Sequence, residues 1–379
     1  MMLLKNITVV DFSQFLSGPS AGLRLADFGA EVIKIERPIV GDICRTLYVS
    51  DVKVEEESTI FHAINRNKKS FAVDLKVLAD LEKIKKLILK ADVLIHNFRP
   101  GVMESLGLSY EIVQEMHPGI IYAEISGYGH TGPWRDRPGQ DLLVQAVSGL
   151  TSLSGNKNDP PTPMGVAVAD IYSGAHLVQG ILAGLYQKNR TGKGARVQVS
   201  LLESILDFQF EVITCFYNDG HNPPSRSEVN NAHAFVAAPY GIYKTKDGYL
   251  ALAMSSIPVL GELLNCDSLL KYQSSSTWFS DRDEIKLILA DHMKSHTTSY
   301  WLNILEPADI WSAELLDYSG LINHDGYKAL EMEQQVETGM GFRLKTTRCP
   351  VRIDGQKLTS FIGAPTLGEH NTEIEQQFL

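Results

Sequence analysis

The chain has 379 residues, more than one hydrophobic core usually organises, so two domains are expected. Its 44% hydrophobic and 21% charged residues are the proportions of an ordinary water-soluble fold. A net charge of −10 argues against nucleic acid or an anionic membrane surface as the main partner, while a local basic cluster leaves room for a phosphate-bearing ligand.

Residues 1–6, Met-Met-Leu-Leu-Lys-Asn, run straight into a strand pattern and lack the long apolar core of a signal peptide. No apolar run reaches membrane-spanning length. The cysteines, Cys44, Cys215, Cys266 and Cys349, are far apart, with neither a CxxC pair nor zinc spacing. They read as reduced thiols of a cytoplasmic protein with no metal site.

In chain order, residues 7–12 predict a buried strand, 13–18 a loop, 19–28 a helix ending near Gly29, and 30–36 a second strand. Strand, Gly-containing loop, helix and strand make a βαβ unit, hence an α/β fold with a parallel, Rossmann-like start. The loop Ser17-Gly18-Pro19-Ser20-Ala21-Gly22 is not GxGxxG, so the motif alone is weak support for a dinucleotide. Arg37 closes the second strand, where a cation suits a nucleotide phosphate or ribose and equally a solvated surface.

Residues 39–58 read as an acidic loop, and Asn65-Arg66-Asn67-Lys68-Lys69-Ser70 as a basic cluster before a strand over 71–75. A helix over 76–90 and a strand over 91–97 come next, ending in Phe98-Arg99-Pro100-Gly101. After a helix over 110–116 and a strand over 120–125, the Gly-rich stretch 126–133 allows close approach of a ligand to backbone. Residues 141–150 are helical, and 154–163 form a polar, Pro-rich loop.

Asp170 stands where a strand-like run, 165–169, is expected to become a helix. An Asp at a helix start is most often a cap. Here the flanks Ala167, Ala169, Gly174 and Ala175 are small enough to admit a bulky ligand, and α/β proteins place sites at such junctions. Free amide N–H groups and the helix dipole would hold this carboxylate ionised and fit to act as a nucleophile. A strand over 195–200 and one long helix over 201–217 come after it. Composition shifts to Pro, Ser and Asn over 218–231, where the first domain boundary is placed. A hairpin is expected over 238–252 with its turn at Lys246-Asp247-Gly248, then amphipathic helices over 257–305 and late strands over 339–352.

Taken together and in this order, the motifs resemble the family III CoA-transferases, a group that includes formyl-CoA and carnitine CoA-transferases and the α-methylacyl-CoA racemases. They include Val10-Asp11-Phe12, Ser17-Gly18-Pro19, Gly29-Ala30-Glu31-Val32-Ile33-Lys34-Ile35-Glu36-Arg37-Pro38, Asn67-Lys68-Lys69-Ser70 and Asn97-Phe98-Arg99-Pro100-Gly101. Further along come Ser126-Gly127-Tyr128-Gly129, Ala169-Asp170, Thr191-Gly192-Lys193-Gly194, Ala238-Pro239-Tyr240-Gly241 and Leu367-Gly368-Glu369-His370.

The resemblance implies a large Rossmann-like domain from both chain ends, 1–217 and 316–379, with a smaller α+β domain, 218–315, inserted, and two subunits interlocked as rings in a homodimer. It implies CoA transfer from an acyl-CoA to a small carboxylic acid, with coenzyme A as co-substrate and no other cofactor. Asp170 matches the catalytic aspartate, passing through an aspartyl anhydride and an aspartyl-CoA thioester. CoA would lie near Ser17, Arg37, Val73, Lys76, Asn97, Phe98 and Arg99, with Arg137, Gln140 and Asp141 toward the thioester. His233 is a candidate for the acceptor acid and equally a structural histidine.

Three departures qualify this. Ser105 stands where many relatives carry Arg near the CoA phosphates, leaving that contact to Lys68, Lys69 or Arg99. Residues 231–235 lack the glycine run of the formyl-CoA enzymes, which opens the way to a larger dicarboxylic or branched acid. Gln140 replaces the histidine of the racemases and cannot exchange a proton near neutral pH, which ranks epimerisation second and a non-catalytic acyl-CoA binder third.

Overall fold

Short β-branched and apolar runs pair in parallel to form the central sheet of the protein, for which a computed structural model describes residues 3–47 and 52–379. Met1, Met2 and residues 48–51, part of the loop expected over 39–58, lie outside the described residues. Strands β1 (Thr8–Asp11) and β2 (Glu31–Glu36) flank helix α1 (Ser17–Asp27). A minimal hairpin, β3 (Lys53–Val54) with β4 (Glu57–Ser58), and helix α2 (Thr59–Asn65) lead to β5 (Lys69–Ala72). Helix α3 (Leu78–Lys90), β6 (Val93–His96), the single turn α4 (Val102–Ser105), α5 (Tyr110–Met116) and β7 (Ile121–Ser126) come next. After them lie α6 (Asp141–Val147), α7 (Val168–Thr191), β8 (Ala195–Ser200) and α8 (Leu201–Phe208).

The sheet order is β5-β2-β1-β6-β7-β8. Counted along the chain, this is the strand order of a Rossmann sheet, with its reversal between β1 and β6. Strands β6 and β7 are buried at every residue, and their apolar stretches Val93-Leu94-Ile95 and Ile121-Tyr122-Ala123 follow from that. Val10, Leu94 and Tyr122, in register across β1, β6 and β7, share a cluster with Ile84 and Leu87 of α3 and Ile374 near the C-terminus. Alternate residues face the other way: Ile121 and Val197 meet α7 at Gly184 and Gly180, where a Cβ on Gly180 would collide with Val197 and one on Gly184 would crowd Ile121. The fold is therefore mixed α/β with helices on both faces of a parallel sheet.

Asp11 and Glu36, the last residues of β1 and β2, anchor a buried charge network. Lys68 Nζ lies 3.2 Å from Asp11 Oδ2 and donates to Pro19 O at 2.8 Å and Asn65 Oδ1 at 3.0 Å. Lys34 pairs with Asp42 at 2.7 Å, and Arg45 grips Glu36 through Nε at 2.8 Å and Nη2 at 2.7 Å. Because both charges of each pair leave water, the hydrogen bonds that satisfy them decide whether the arrangement holds.

The basic cluster of residues 65–70 is consumed here. Arg66 pairs with Asp27, Lys68 with Asp11, and Lys69 with Glu31 and Glu373. Lys68 is fully buried, so it cannot meet a phosphate in the place of Ser105.

One unit of the chain comprises Met1–Val144, Ala167–Ile205 and Lys328–Leu379; the other comprises Gln145–Val166 and Leu206–Tyr327. The second is wider than the 218–315 stretch that the resemblance implies. Its loops explain why: Gln209 Nε2 donates to Ser148 O at 3.4 Å, and Asn231 N to Asn156 Oδ1 at 3.1 Å, tying 145–166 to the chain beyond 206. The helix expected over 201–217 breaks at Gln209, and α9 (Phe210–Asn218) begins after the break.

Strands β9 (Gly241–Lys244) and β10 (Tyr249–Leu252) form the expected hairpin. Helices α10 (Ile257–Leu263), α11 (Arg282–His292) and α12 (Thr298–Leu305) precede β11 (Ser312–Glu314), which pairs with β10. Tyr243, Leu250, Leu260, Ile285 and Trp301 share its core. Two short helices, α13 (Tyr318–Asn323) and α14 (Asp325–Leu330), come after β11.

The chain ends with the hairpins β12 (Glu333–Glu337) with β13 (Arg343–Thr347) and β14 (Arg352–Ile353) with β15 (Gln356–Lys357), then α15 (Asn371–Phe378). This tail closes the β5 edge. Ala72 N donates to Asn371 Oδ1 at 2.8 Å, Asn371 Nδ2 returns to Ala72 O at 3.2 Å, and Ser70 N donates to His370 Nδ1 at 3.2 Å. An open edge would otherwise invite another strand. Among the described residues, no helix is long and apolar enough to cross a membrane.

Candidate active site

Asp170 lies in the first turn of α7, but no strand precedes it. Contrary to the strand expected over 165–169, Gly165, Val166 and Ala167 have no pairing partner, and the helix already starts at Val168. Ala167, the residue before the helix, has no side-chain oxygen to cap it. The cap comes from elsewhere: Asp141 Oδ1, at the start of α6, accepts from Ala169 N at 2.7 Å and Asp170 N at 3.4 Å.

This reverses one expectation. The helix N–H groups that were to hold Asp170 ionised are engaged by Asp141, whose charge faces Asp170 instead. Burial first, and then the Asp141 carboxylate, push the Asp170 carboxyl up to about 6, while a hydrogen bond from the Ser17 side chain pulls it down. Above that pH the group is a carboxylate more basic, and so more nucleophilic, than an ordinary one.

Ser17 begins α1 and is buried. Asn97, just beyond β6, fixes the loop before it: Gln14 N donates to Asn97 Oδ1 at 2.8 Å, and Asn97 Nδ2 donates to Gln14 O at 2.7 Å and Ser17 Oγ at 3.3 Å. With Asn97 donating to it, the Ser17 hydroxyl is free to give its own hydrogen to Asp170. Helices α1 and α7 approach closely because Gly174 has no side chain; a Cβ there would lie 2.2 Å from Ser20 Oγ and 2.7 Å from Ser17 O. Ser17, Asn97, Asp141 and Asp170 thus form one connected group.

A cavity of about 180 Å³ opens beyond the C-terminal ends of β1, β2 and β5. Its walls include Phe12, Gln14, Val73, Phe98 and Leu106, and Arg37 and Lys76 also line it. Both cations are exposed. Glu36, held by Arg45, and Asp74 line it too, so it is an apolar slot edged by charges of both signs, at the end of the sheet where doubly wound folds bind ligands. Arg37, Val73, Lys76 and Phe98 are expected there from the sequence; Gln14 is not, its only signal being its place just after β1.

Arg99, Arg137 and Gln140 are exposed. Ser105 Oγ is turned back on Val102 O at 2.7 Å. His233 belongs to the second unit, where Phe235 N donates to its Nδ1 at 3.1 Å and its Nε2 lies 2.9 Å from Glu211 Oε1. A larger cavity, about 360 Å³, also lies in that unit, lined by Tyr240, Ile242 and Trp311. Its lining holds no carboxylate, imidazole or amine. Among the described residues, no group of three His, Cys, Asp or Glu side chains could hold a metal ion.

Known proteins resemble this chain along nearly its whole length. The family described as CoA-transferase family III matches residues 4–371. The chain is 34% identical to succinyl-CoA:glutarate CoA-transferase of Homo sapiens, over 99% of this chain and 86% of that protein. It is 31% identical to acetyl-CoA:oxalate CoA-transferase of Acetobacter aceti, over 98% and 95% of the two chains. A CAIB/BAIF family protein from Brucella suis has a crystal structure that superposes with a TM-score of 0.85 at 29% identity, covering 99% of each chain. A family match along almost the whole length and identities above 30% to such relatives lead to one conclusion: this chain belongs to CoA-transferase family III and is an enzyme of the CoA-transferase class.

Proposed function

We propose that this enzyme moves CoA from an acyl-CoA thioester to a small carboxylic acid, with Asp170 as the covalent carrier. The observation that supports it most is the Asp170 carboxyl in the first turn of α7, flanked by Asp141, bonded by Ser17 and raised to about 6. The carboxylate attacks the thioester carbonyl; the C–S bond breaks, leaving a mixed anhydride and CoA thiolate. The thiolate attacks the Asp170 acyl carbon, the anhydride C–O bond breaks, and the donor acid departs. The acceptor carboxylate runs these steps in reverse and leaves as its CoA ester. Backbone N–H groups of the Gly-rich loops are the donors we assign to the developing oxyanions.

We assign the cavity beside Arg37 and Lys76 to the nucleotide end of CoA. The acceptors named for the relatives above are glutarate and oxalate, so small dicarboxylates are the first acids to try. We also assign a cytoplasmic location and an interlocked homodimer, each subunit with a large domain from both chain ends and a smaller inserted one. Support for the dimer comes from α7, which buries Leu177 and Ile181 on one side yet exposes Ile171, Leu182 and Tyr186 on another. A helix apolar on both sides is usually covered on both.

The test is a matrix of acyl-CoA donors against small carboxylic acids, read by mass spectrometry for new CoA esters. The reading requires exchange by the wild type and its loss in Asp170→Asn with CoA binding retained. Full exchange by Asp170→Asn, or deuterium entering the α-carbon without an acceptor acid, would contradict it.

A further inference from the structure

The chain between β7 and α6 runs out from Gly127 and returns through Gly139 to Asp141. Residues 131–140 are exposed. Trp134 packs edge to face on Tyr128 at 6.0 Å, Arg137 lies 5.8 Å over Trp134, and Arg137 N donates to Trp134 O at 3.0 Å. These contacts stay within the loop, so they do not set where it rejoins the fold.

That place is set at the neck, where Gly127 meets Gly139. A Cβ on Gly139 would lie 2.4 Å from Gly127 Cα, and one on Gly127 would lie 2.6 Å from Gly139 Cα and 3.2 Å from Gly139 N. Two main chains touch there, and neither residue can carry a side chain without moving the other. One side of the contact is fixed: Ser126 ends β7 in register with Ser200 of β8, and Leu202 N donates to Gly127 O at 3.1 Å. The other side leads, two residues on, to Asp141. Its Oδ1 accepts from Ala169 N at 2.7 Å and Asp170 N at 3.4 Å, and Val144 N donates to Gln140 O at 3.0 Å to start the helix that carries it.

We propose that Gly127 and Gly139 are positioning residues: their contact sets the Asp141 carboxylate on the first N–H groups of α7, beside Asp170. A side chain at either glycine parts the two main chains and carries Asp141 off the helix start, so that Asp170 faces less negative charge. The groups that act on Asp170 from neighbouring elements are the Asp141 carboxylate, at the start of α6, and the Ser17 hydroxyl, at the start of α1; β7 and β8 meet α7 further along, at Gly184 and Gly180. The catalytic consequence rests on the transferase reading; the placement of Asp141 does not.

The test is the titration of Asp170 in the full-length enzyme without substrate, followed by carboxyl-carbon NMR on protein labelled at aspartate, with the Asp170 signal identified by its loss in Asp170→Asn. Moving a like charge away lets a carboxyl ionise at lower pH. Asp141→Asn keeps an oxygen for the cap but removes the charge, and should lower the midpoint by about half to one pH unit. Gly139→Ala should lower it too. Gly127→Ala puts the methyl on the opposite side of the contact and supplies the same reading if Gly139→Ala does not fold. Gly165→Ala, whose Cβ would meet nothing within 4 Å, should leave the midpoint in place. In Gly139→Ala/Asp141→Asn the midpoint should equal that of Asp141→Asn alone, because the glycine acts through residue 141; a methyl that only let water in would add a shift of its own. An unchanged midpoint in Gly139→Ala or Gly127→Ala, or a double variant shifted beyond Asp141→Asn, would overturn the proposal. Because no turnover is measured, a protein without transferase activity still gives a decisive reading.

Discussion

Asp170 is a carboxyl that the folded chain makes harder to ionise. Its folded pKa, raised to about 6, exceeds the free value of 3.8, so the folded state holds the proton more tightly than the unfolded chain does. Stability is therefore lost as pH rises from about 4 through 6, and the full penalty applies above that. Asp170→Asn should unfold at higher denaturant concentration than the wild type at pH 7, by about 1 to 2 kcal/mol once partial exposure is allowed for, and equally with it near pH 4. Ser17→Ala removes the bond that favours the carboxylate, so the acid limb of the pH–rate profile should move up by about one unit. An unchanged limb would mean that Ser17 does not touch the ionised form. At this scale the residue type and place of Asp170 were legible in the sequence. The resemblance set Asp141 toward the thioester, but its role as the cap was not legible: it is 29 positions away from Asp170, and no local pattern announces a helix capped from another segment.

Among elements, α1 and α7 depend on each other through Gly174. In Gly174→Ala the new methyl meets Ser20 Oγ and Ser17 O, so the helices must part. Thermal or denaturant unfolding should show a loss of about 1 to 3 kcal/mol, the range for overpacking, with catalysis falling as Ser17 moves off Asp170. Strands β1, β2, β6 and β7 were readable because burial on both faces leaves a short apolar stretch in each: Val9-Val10, Val32-Ile33, Val93-Leu94-Ile95 and Ile121-Tyr122-Ala123. The run 165–169 misled for the complementary reason: Val166 and Val168 favour a strand locally, but no neighbouring strand is there to pair with them. β-propensity expresses fit to a sheet that must already exist. The basic cluster of residues 65–70 misled too, because sequence gives charge but not its partners, here Asp27, Asp11, Glu31 and Glu373.

For the whole molecule, composition marked the Pro, Ser and Asn-rich stretch at 218–231 but not that 145–166 belongs with the unit beyond it, since that grouping rests on hydrogen bonds between distant loops. The exposed side of α7 carries its own prediction. Light scattering should report a dimer, and Tyr186→Glu or Leu182→Glu should shift it toward monomer; a wild-type monomer at micromolar concentration would contradict the assigned assembly. Every step of the proposed chemistry passes through an acyl group carried on one side chain. The most direct measurement is to incubate the enzyme with succinyl-CoA or acetyl-CoA in the presence of hydroxylamine and map the products by peptide mass spectrometry. The account predicts a hydroxamate on Asp170, absent without the thioester; a peptide containing unmodified Asp170 under conditions in which CoA exchange proceeds would contradict it.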